Sequence, residues 1–455
     1  MLAPPAAVSA APLEPLASPV DPRPDPGHAA RTVAAIGRAL RDIPYYRARG
    51  LVSPSPGEPL ADVLARQPLL TKKDLRATLP RQWVPAGRDV KAEILSGALE
   101  LVETSGSTGE RLRVLWDEGW WPRQETRAMR TSARVAAAMD GARGEYREAI
   151  LTTPECGLGT CHVGDLPYEE RVGGAHLWLN QRVDPLYWTE AEQARILDEI
   201  GQHATVGLES DPFYLALLAR FARAAGRAID VRSFVQLTYA FTTRAYLRAI
   251  REVFAGEVLQ LYGASEVGVL FMEGDDGRLH HCPFTTHVEL LPVRVPTPGA
   301  AHVALVVVTT LDRAAMPLVR FVVGDLVRVD PGGPRLWTSV PPLRSVEGRL
   351  DDAIARPDGA LVTAGAIDRA IGDADGVRFW QCNQHAPDRL EIDVVADGDA
   401  PGAAERVRAR VAPLCVGLAV SARAVTGIPL EPSGKFRVSK RHVPLDVARC
   451  FGTGF

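Results

Sequence analysis

The sequence predicts an α/β protein: a large N-terminal domain of mixed and parallel sheets with helices, followed by a small α+β C-terminal domain. Two observations carry this prediction. Short apolar strands alternate with amphipathic helices in the middle of the chain, and a final helix–strand series follows a Val-rich region. At 455 residues, the chain is long enough for at least two domains. We assign residues 29–348 to the large domain and residues 351–455 to the small one.

Helices are predicted where apolar residues recur with the helical period and where caps or breakers mark an end. Thr71 is a predicted N-cap, because Asp74 follows three positions later and Leu75 begins an apolar face. Pro44 interrupts the first periodic segment. The predicted helices cover residues 29–41, 190–201, 213–225, 243–253, 364–371 and 403–411, and a further helix starts after Thr71.

Strands are predicted from short runs rich in Val, Ile and Leu between turn signals. Strands that are separated by a helix in the sequence are expected to pair in parallel. The predicted strands cover residues 98–102, 237–240, 258–262, 302–310, 318–323, 326–329, 377–384, 390–395 and 419–425.

The composition argues against several kinds of partner. The formal net charge is −3, which gives no reason to expect binding to nucleic acid or to an anionic membrane. A run of about 18 apolar residues is lacking, so we expect no membrane span. Residues 1–28 are rich in Pro and Ala, and we expect a flexible arm there rather than a signal peptide. The six cysteines are scattered, a pattern typical of a reduced, cytoplasmic protein.

Residues 104–110, with the sequence TSGSTGE, follow a predicted strand and are rich in Gly, Ser and Thr. Glycine lets the backbone approach a ligand closely, and the N–H groups and hydroxyls of such a loop donate to an anion, most often a phosphate. A Walker loop has a Lys directly after its last Gly, whereas Glu110 follows Gly109 here. A phosphate bound by this loop therefore needs a positive charge from elsewhere in the chain.

Four further polar clusters follow along the chain, and each taken alone also fits an exposed turn. They are YGASE at 262–266, RFVVGD at 320–325, EGRLDD at 347–352 and PSGKFR at 432–437. The first comes directly after an apolar strand, the place where α/β sheets bind ligands. It offers the ring of Tyr262 for stacking on a planar base and the carboxylate of Glu266 as an oxygen ligand for Mg²⁺. Asp325, which follows a Gly at a strand end, is suited to accept hydrogen bonds from two ribose hydroxyls.

In this order, the loop and the four clusters resemble the adenylate-forming superfamily of acyl-CoA synthetases, peptide-synthetase adenylation domains and luciferases. Within it, the chain is most similar to the phenylacetate–CoA ligase branch. DIPYYR at 42–47 and LLTKKDL at 69–75 are similar to the N-terminal pattern of that branch, and MPLVRF at 316–321 is similar to a later motif. The resemblance covers about residues 30–445.

The resemblance implies a two-step reaction. A carboxylate attacks the α-phosphate of ATP to give an acyl-AMP and pyrophosphate; the small domain then rotates, and a nucleophile takes the acyl group. It implies that Lys435 bridges the substrate carboxylate and the α-phosphate, that Glu266 binds Mg²⁺, and that Asp351 is the hinge. The implied nucleotide-binding residues are Thr104, Ser105, Gly106, Ser107, Thr108, Gly109, Tyr262, Gly263, Ser265, Asp325 and Arg349.

Two departures from the branch bear on the acceptor. Residues 321–323, FVV, replace the usual Tyr-Arg-Thr before Gly324, which removes polar atoms near the nucleotide. After Asp352, the Lys/Arg-Gly element that lines the coenzyme A tunnel in the branch is missing. The acceptor therefore stays open between coenzyme A, the phosphopantetheine thiol of a carrier protein, and an amine or other non-thiol group. The choice between a monomer and a homodimer stays open as well.

The substrate is expected to be a carboxylic acid, most simply a flat aromatic one. The resemblance places the acyl pocket at Glu209, Phe213, Tyr239, Ala240 and Phe241. Aromatic rings and small side chains suit an aryl acid. Glu209 is unusual for such a pocket: it either contacts an amino or hydroxyl group of the substrate or faces solvent.

Two Cys/His groups lie far apart in the sequence. One is CGLGTCH at 156–162, and the other is HHC at 280–282. If the fold brings them together, Cys156, Cys161, His281 and Cys282 are candidate ligands for Zn²⁺. The same pattern also fits buried cysteines and surface histidines that bind no metal.

Overall fold

We describe the protein from a computed structural model. The described residues are 27–78, 80–104, 112–142, 144–156, 159–160, 163–296, 302–330, 340–446 and 450–451. The predicted flexible arm at residues 1–28 therefore lies almost entirely outside the described residues, and its last residue begins the first helix.

The predicted helices are present in the structure, with ends shifted by a few residues. Their starts carry the expected caps: Thr71 and Asp74 exchange hydrogen bonds, and Thr189 forms a capping box with Glu192. The helices are α1 (His28–Asp42), α2 (Pro44–Arg47), α3 (Leu60–Ala65), α4 (Lys72–Thr78), α5 (Val90–Ser96), α6 (Trp120–Met129), α7 (Ala133–Gly141), α8 (Glu190–Gln202), α9 (Pro212–Ala224), α10 (Arg244–Arg251), α11 (Ala364–Ile371) and α12 (Ala400–Val411).

The strands follow in chain order. The N-terminal ones are β1 (Leu99–Glu103), β2 (Arg113–Asp117), β3 (Glu148–Leu151), β4 (Glu155–Cys156), β5 (Gly159–Thr160), β6 (Val172–Gly173), β7 (His176–Trp178), β8 (Gly207–Ser210), β9 (Phe234–Leu237), β10 (Glu257–Ala264), β11 (Gly268–Glu273) and β12 (Leu279–His281). The later ones are β13 (Thr286–Pro292), β14 (His302–Thr310), β15 (Phe321–Val329), β16 (Ser345–Arg349), β17 (Ile354–Ala355), β18 (Leu361–Val362), β19 (Val377–Ala386), β20 (Arg389–Ala396), β21 (Ala419–Ala424) and β22 (Ser439–Arg441).

The central sheet has the strand order β12-β11-β10-β9-β8-β3-β7-β6 within the described residues. Strands β10, β9, β8, β3 and β7 pair in parallel, and antiparallel strands complete both edges. The predicted α/β class and parallel pairing are therefore confirmed. In a parallel sheet, the carboxyl ends of neighbouring strands lie at one edge, which makes that edge the expected ligand site.

Among the described residues, two four-stranded sheets and three two-stranded pairs, β1-β2, β4-β5 and β17-β18, complete the fold. The four-stranded sheets matter most for the site. One is antiparallel, with the order β13-β14-β15-β16, and the other has the order β21-β20-β19-β22. The prediction of separate strands at 318–323 and 326–329 was wrong: residues 321–329 form one strand, β15. Gly324, with φ +98°, bends the chain without ending the strand, because glycine adopts positive φ without strain.

A single apolar core joins the C-terminal segment to the helices of the central sheet. It contains buried residues of α9 and α10 together with residues of β19, β20 and α12. The ring of Phe213, on α9, stacks on that of Phe436 at a centroid distance of 4.6 Å. Residues 351–446 are therefore packed onto the larger part in this structure, while the proposed division into two domains stays a prediction.

Two further sequence expectations concern helices and cysteines. Among the residues that the structure covers, every helix is too short or too polar to cross a membrane. Cys282, Cys382, Cys415 and Cys450 are buried free thiols. Burial raises the pKa of the Cys282 thiol to about 12, so this group is protonated at neutral pH.

Candidate active site

Two cavities meet at the carboxyl edge of the central sheet, beyond the ends of β8, β9 and β10. The first has a volume of about 350 Å³ and the second about 310 Å³. Both are lined by Tyr239, Gly263, Asp325, Arg349 and Lys435. Residues from the central sheet, the antiparallel sheet and the C-terminal segment thus converge on one site, as the order of the sequence motifs predicts.

The first cavity contains a connected set of polar side chains. The hydroxyl of Tyr262 donates to Oδ2 of Asp325 at 3.0 Å, and Nε of Arg349 lies 3.5 Å from Oδ1 of the same carboxylate. Strand pairing explains this arrangement, because Asp325 on β15 is directly opposite Arg349 on β16. Burial, together with the charge of Asp325, raises the pKa of Tyr262, so its hydroxyl stays a donor. This cavity therefore offers a fixed acceptor carboxylate beside an aromatic ring and a cation.

Lys435 lies where the two cavities meet. Its Nζ donates to the backbone carbonyl of Tyr239 at 3.0 Å. Burial and the neighbouring charge of Arg349 lower the pKa of Lys435 to about 8, while the carboxylates of Asp211, Glu266 and Asp325 oppose that shift. The ammonium group is therefore held close to its titration range inside the site.

The carbonyl that Lys435 contacts belongs to a strained turn. Tyr239 has φ +70°, which is rare for a residue with a side chain, and the N–H of Ala240 donates to the carbonyl of Thr238 at 2.8 Å. This tight turn directly after β9 explains why the predicted strand at 237–240 was wrong: β9 ends at Leu237. The turn directs the Tyr239 carbonyl and ring toward the site.

The loop that carries Lys435 is seated in a close-fitting groove of the larger part. Gly434 has φ +77°, and a Cβ at this position would lie 2.6 Å from the carbonyl oxygen of Val183. The hydroxyl of Tyr214, on α9, lies 2.9 Å from the carbonyl oxygens of both Val183 and Gly434. Only glycine fits this position without displacing backbone atoms.

Glu266 is buried at the edge of the second cavity and forms an ion pair. Nζ of Lys72, in the first turn of α4, lies 3.0 Å from Oε1 of Glu266. Burial raises the pKa of Glu266, but the charge and hydrogen bond of Lys72 outweigh that effect, so its pKa is lowered overall. Arg313 donates to the backbone carbonyl of Glu266. The carboxylate is therefore ionised and held in place.

The remaining predicted site residues differ in where the structure places them. Thr104 and Ser265 line the second cavity, and so does Glu209; Ala240 and Phe241 line the first. Asp351 is exposed, within a 3₁₀ turn over Leu350–Asp352 that follows β16 directly. Ser105, Gly106, Ser107, Thr108 and Gly109 lie outside the described residues.

Phe213 does not line either of these two cavities. Its ring is buried between Phe436, Phe379 and Tyr246, where it joins α9 to the C-terminal segment. The expectation that it forms part of the acyl pocket came from the family resemblance. The helix instead turns this side chain toward the core, because Asp211 caps α9 and sets its first turn.

The zinc hypothesis gains no support from the described residues. They contain no group of three or more His, Cys, Asp or Glu side chains arranged to hold a metal ion. Cys161 lies outside the described residues, and His281 packs against His28 with 6.3 Å between ring centroids. A zinc site that includes Cys156, Cys161, His281 and Cys282 stays a prediction.

Sequence reasoning missed three residues of this site. The sequence predicts Lys72 only as part of a helix start, and it predicts no individual role for Asp211 or Glu125. Each becomes visible only when elements far apart in sequence are packed together: Lys72 reaches Glu266, Asp211 faces Lys435, and Glu125 lines the second cavity. The one available signal was that Asp211 lies between Glu209 and Phe213, two residues that the family resemblance assigns to the acyl pocket.

Comparison with solved structures identifies the fold. A 2-hydroxyisobutyryl-CoA ligase in the postadenylation state, in complex with 2-HIB-AMP, matches with a TM-score of 0.65 at 17% identity, covering 91% of this chain and 88% of that chain. The same ligase in an open conformation with 2-HIB-AMP and CoA gives a TM-score of 0.56 at 17% identity, covering 92% and 91%. In the thioesterification state it gives 0.53 at 18% identity, covering 92% and 90%.

The chain has the fold of this ligase. No protein-family model matches the sequence, and the search of curated proteins found no match. At such low sequence identity, the similarity establishes the architecture of the adenylate-forming fold, and the chemistry has to be argued from the site itself.

Proposed function

We propose that this chain is an ATP-dependent ligase that activates a carboxylic acid as an acyl-AMP, with release of pyrophosphate, and then transfers the acyl group to a thiol. One observation carries the proposal. Lys435 reaches the junction of two cavities, one of which offers Asp325, Arg349 and Tyr262, and the other the ionised Glu266. This arrangement suits a nucleotide on one side and an acid on the other.

The first cavity fits the nucleoside. Asp325 is a carboxylate whose second oxygen lies close to Arg349, so a ribose that approaches meets a fixed acceptor and a donor together. The buried ring of Tyr262, stacked on Phe271 at 5.9 Å, gives a rigid apolar wall for the base. The residues implied by the family resemblance thus form a chemically suitable set.

In the first half-reaction, an oxygen of the substrate carboxylate attacks the α-phosphorus of ATP. The new P–O bond forms as the bond to the β-phosphate oxygen breaks, and pyrophosphate leaves with that electron pair. Lys435 stabilises the negative charge that develops on the α-phosphoryl oxygens and reduces the repulsion between the two anions. Its position at the junction of the cavities suits this role.

The site also fits a Mg²⁺ ion bound through the substrate phosphates. Mg²⁺ is commonly held by one or two carboxylates together with phosphate oxygens, so a single ionised carboxylate beside the triphosphate is sufficient. Glu266 meets this requirement, and the ion pair with Lys72 balances its charge in this structure. When bound, the ion neutralises charge on the triphosphate.

The second half-reaction requires a site for the thiol, and thus a movement of the C-terminal segment. Lys435 lines both cavities at their junction in this structure. The similarity is greater to the postadenylation state of the solved ligase, with a TM-score of 0.65, than to its thioesterification state, with 0.53. Both observations support rotation about the turn at Asp351 between the steps. Coenzyme A is the first thiol to test, and a carrier-protein thiol is the second.

The proposal predicts ATP–pyrophosphate exchange that depends on a carboxylic acid. The wild-type chain is incubated with ATP, Mg²⁺, labelled pyrophosphate and each member of a broad panel of acids. We expect label to enter ATP only when a suitable acid is present. Mass analysis of products with coenzyme A, with a carrier protein and with simple amines then distinguishes a thiol acceptor from an amine. Exchange that is absent with every acid contradicts the proposed function.

The pH dependence of this exchange provides a second prediction. Because burial and Arg349 lower the pKa of Lys435 to about 8, its cationic form is present below that pH and is lost above it. We expect kcat/KM to fall as the pH rises through about 8, because kcat/KM reports ionisations of the free enzyme. Asp211→Asn removes a negative charge that opposes the shift, so the fall is expected at lower pH.

The matched control for this profile is Asp388→Asn, which changes an exposed carboxylate. Its profile is expected to follow that of the wild type. If Asp211→Asn melts like the wild type, yet its kcat/KM falls over the same pH range, a group other than Lys435 is titrating.

A further inference from the structure

Three carboxyl groups lie together beside the second cavity, and the proposed reaction uses none of them; Glu148 and Glu209 are buried, and Glu125 is partly exposed. Glu209 and Glu125 line the cavity, and Glu148 lies behind them on β3. Burial raises the pKa of all three carboxyl groups, and mutual repulsion raises those of Glu125 and Glu148 further. Buried carboxylates of this kind are unfavourable unless a donor or a cation accompanies them.

The cluster belongs to one face of the central sheet. In register, Glu209 on β8 is opposite Gln236 on β9, and Glu148 is opposite Gly207. Because side chains alternate along a strand, Glu148, Glu209 and Gln236 share a face, and their sequence neighbours fill the apolar core on the other. A polar strip thus crosses β3, β8 and β9, whose other face packs into the apolar core.

The strip has more acceptors than donors. Tyr239 donates to Oε1 of Glu209, and Nε2 of Gln236 lies 3.3 Å from Oε2 of Glu209. Oε1 of Gln236, which is fully buried, has no hydrogen-bond partner within the described parts of the chain, and the hydroxyl of Tyr146 lies beside Glu148 as a donor. His176 lies 3.6 Å from Glu148, but burial lowers its pKa, so it is uncharged at neutral pH.

We propose that the acid activated by this enzyme carries a protonated amino group at the end remote from its carboxylate, and that Glu209 and Glu125 bind this group. The inference rests on the proposed function and assigns its substrate class. An ammonium group has three donors and no acceptor, which supplies what the strip lacks. The positive charge of the bound group favours the ionised form of these carboxyl groups, whose pKa burial and mutual repulsion raise. The alternative that Glu209 faces solvent is excluded by its 8% exposure.

Tyr239 sets the distance between the two ends of the substrate. Its backbone carbonyl contacts Lys435, where the substrate carboxylate reacts, and its hydroxyl contacts Glu209. The two groups of the substrate are therefore separated by about the length of a tyrosine side chain. An α-amino acid, whose amino group is one carbon from its carboxylate, does not span this distance. The rings of Trp116 and Trp121, stacked 4.7 Å apart, form an apolar wall for the body of the substrate.

The test compares acids that differ only in the amino group. The pairs are 4-(aminomethyl)benzoate with 4-ethylbenzoate and 6-aminohexanoate with heptanoate, and phenylalanine represents α-amino acids. Acid-dependent ATP–pyrophosphate exchange gives kcat/KM for each. We expect the wild type to prefer the amino member of at least one pair by about 10²-fold or more, because a site built for a donor rejects the analogue that lacks it. Phenylalanine is expected to be a poor substrate.

The variants Glu209→Gln and Glu125→Gln keep the shape of the side chain and remove its charge. Each is expected to lower the preference for the amino-bearing acid of the pair by about tenfold or more, chiefly through KM. The matched control is Glu190→Gln, an exposed position at the start of α8. Should Glu209→Gln fail to melt cooperatively, the half-exposed Glu125 provides the decisive variant.

The outcomes separate this inference from the proposed function. Equal or better use of the uncharged acids, with a preference that neither variant changes, overturns the substrate class while the ligase function stands. Preference for phenylalanine overturns the remote position of the amino group. Absence of exchange with every acid of the broad panel overturns the ligase function and this inference together.

Discussion

Lys435→Ala is expected to reduce acid-dependent ATP–pyrophosphate exchange by about 10²- to 10³-fold, the effect of removing one charge-stabilising group from a reacting centre. The reason is positional. Lys435 lies at the junction of the two cavities, where the proposed reaction places the attacking carboxylate and the α-phosphate, and its Nζ donates to the backbone carbonyl of Tyr239. Initial exchange rates at saturating ATP and acid measure the loss in kcat.

The control for this variant is Lys91→Ala, which removes an exposed lysine of α5. Its exchange rate is expected to match that of the wild type. A chemically prepared acyl-AMP, given to both variants with the thiol acceptor, tests the second half-reaction, in which Lys435 has no assigned role. If Lys435→Ala exchanges pyrophosphate within threefold of the wild type, Lys435 has no role in the first half-reaction.

Much of the fold follows from local patterns in the sequence. The helices are given by periodicity and caps, such as Thr71 with Asp74, and the strand His302–Thr310 by its run of valines. The errors lie where backbone geometry overrides pattern. Tyr239, at φ +70°, ends a strand that its apolar neighbours would extend, and Gly324 bends a strand without breaking it. A sequence pattern does not record such dihedral angles.

For the candidate site, too, the sequence predicts some residues and the structure adds the others. Asp325, Arg349, Tyr262 and Lys435 each belong to a short motif, and their order along the chain predicts that they meet; the structure brings all four to one cavity. The residues that contact these motif residues are not marked by any comparable sequence motif. The ion pair of Lys72 with Glu266 depends on the packing of α4 against the end of β10. The chemical environment of a motif therefore has to come from the structure.

Glu209 illustrates what the structure adds to an ambiguous residue. From the sequence, it fits either a substrate contact or a solvated position. The fold buries it opposite Gln236, beside Tyr239 and close to two other carboxylates. A strand register, which is a long-range property, therefore converts one odd residue in an apolar run into a proposed determinant of substrate class.

Gly434→Ala is the second change with a large expected effect. It acts by displacing the loop that carries Lys435 rather than by removing a charge. The added Cβ would lie 2.6 Å from the carbonyl oxygen of Val183, 2.7 Å from Oγ1 of Thr153 and 2.8 Å from the hydroxyl of Tyr214. The φ of +77° adds backbone strain for any other residue. We expect the loop to leave its groove and Lys435 to leave the site, so that exchange falls about 10²-fold, since small displacements of reacting groups have effects of this size.

The matched control is Gly427→Ala in the same segment. A Cβ there meets no atom within 4 Å, and its φ is not in the left-handed region. We expect Gly427→Ala to exchange pyrophosphate like the wild type, and both variants to form thioester from supplied acyl-AMP. Loss of both half-reactions in Gly434→Ala would indicate unfolding, which its melting curve detects. Exchange at the level of Gly427→Ala would show that adenylation does not require the seated loop, and that Lys435 reaches the α-phosphate from another arrangement of the C-terminal segment.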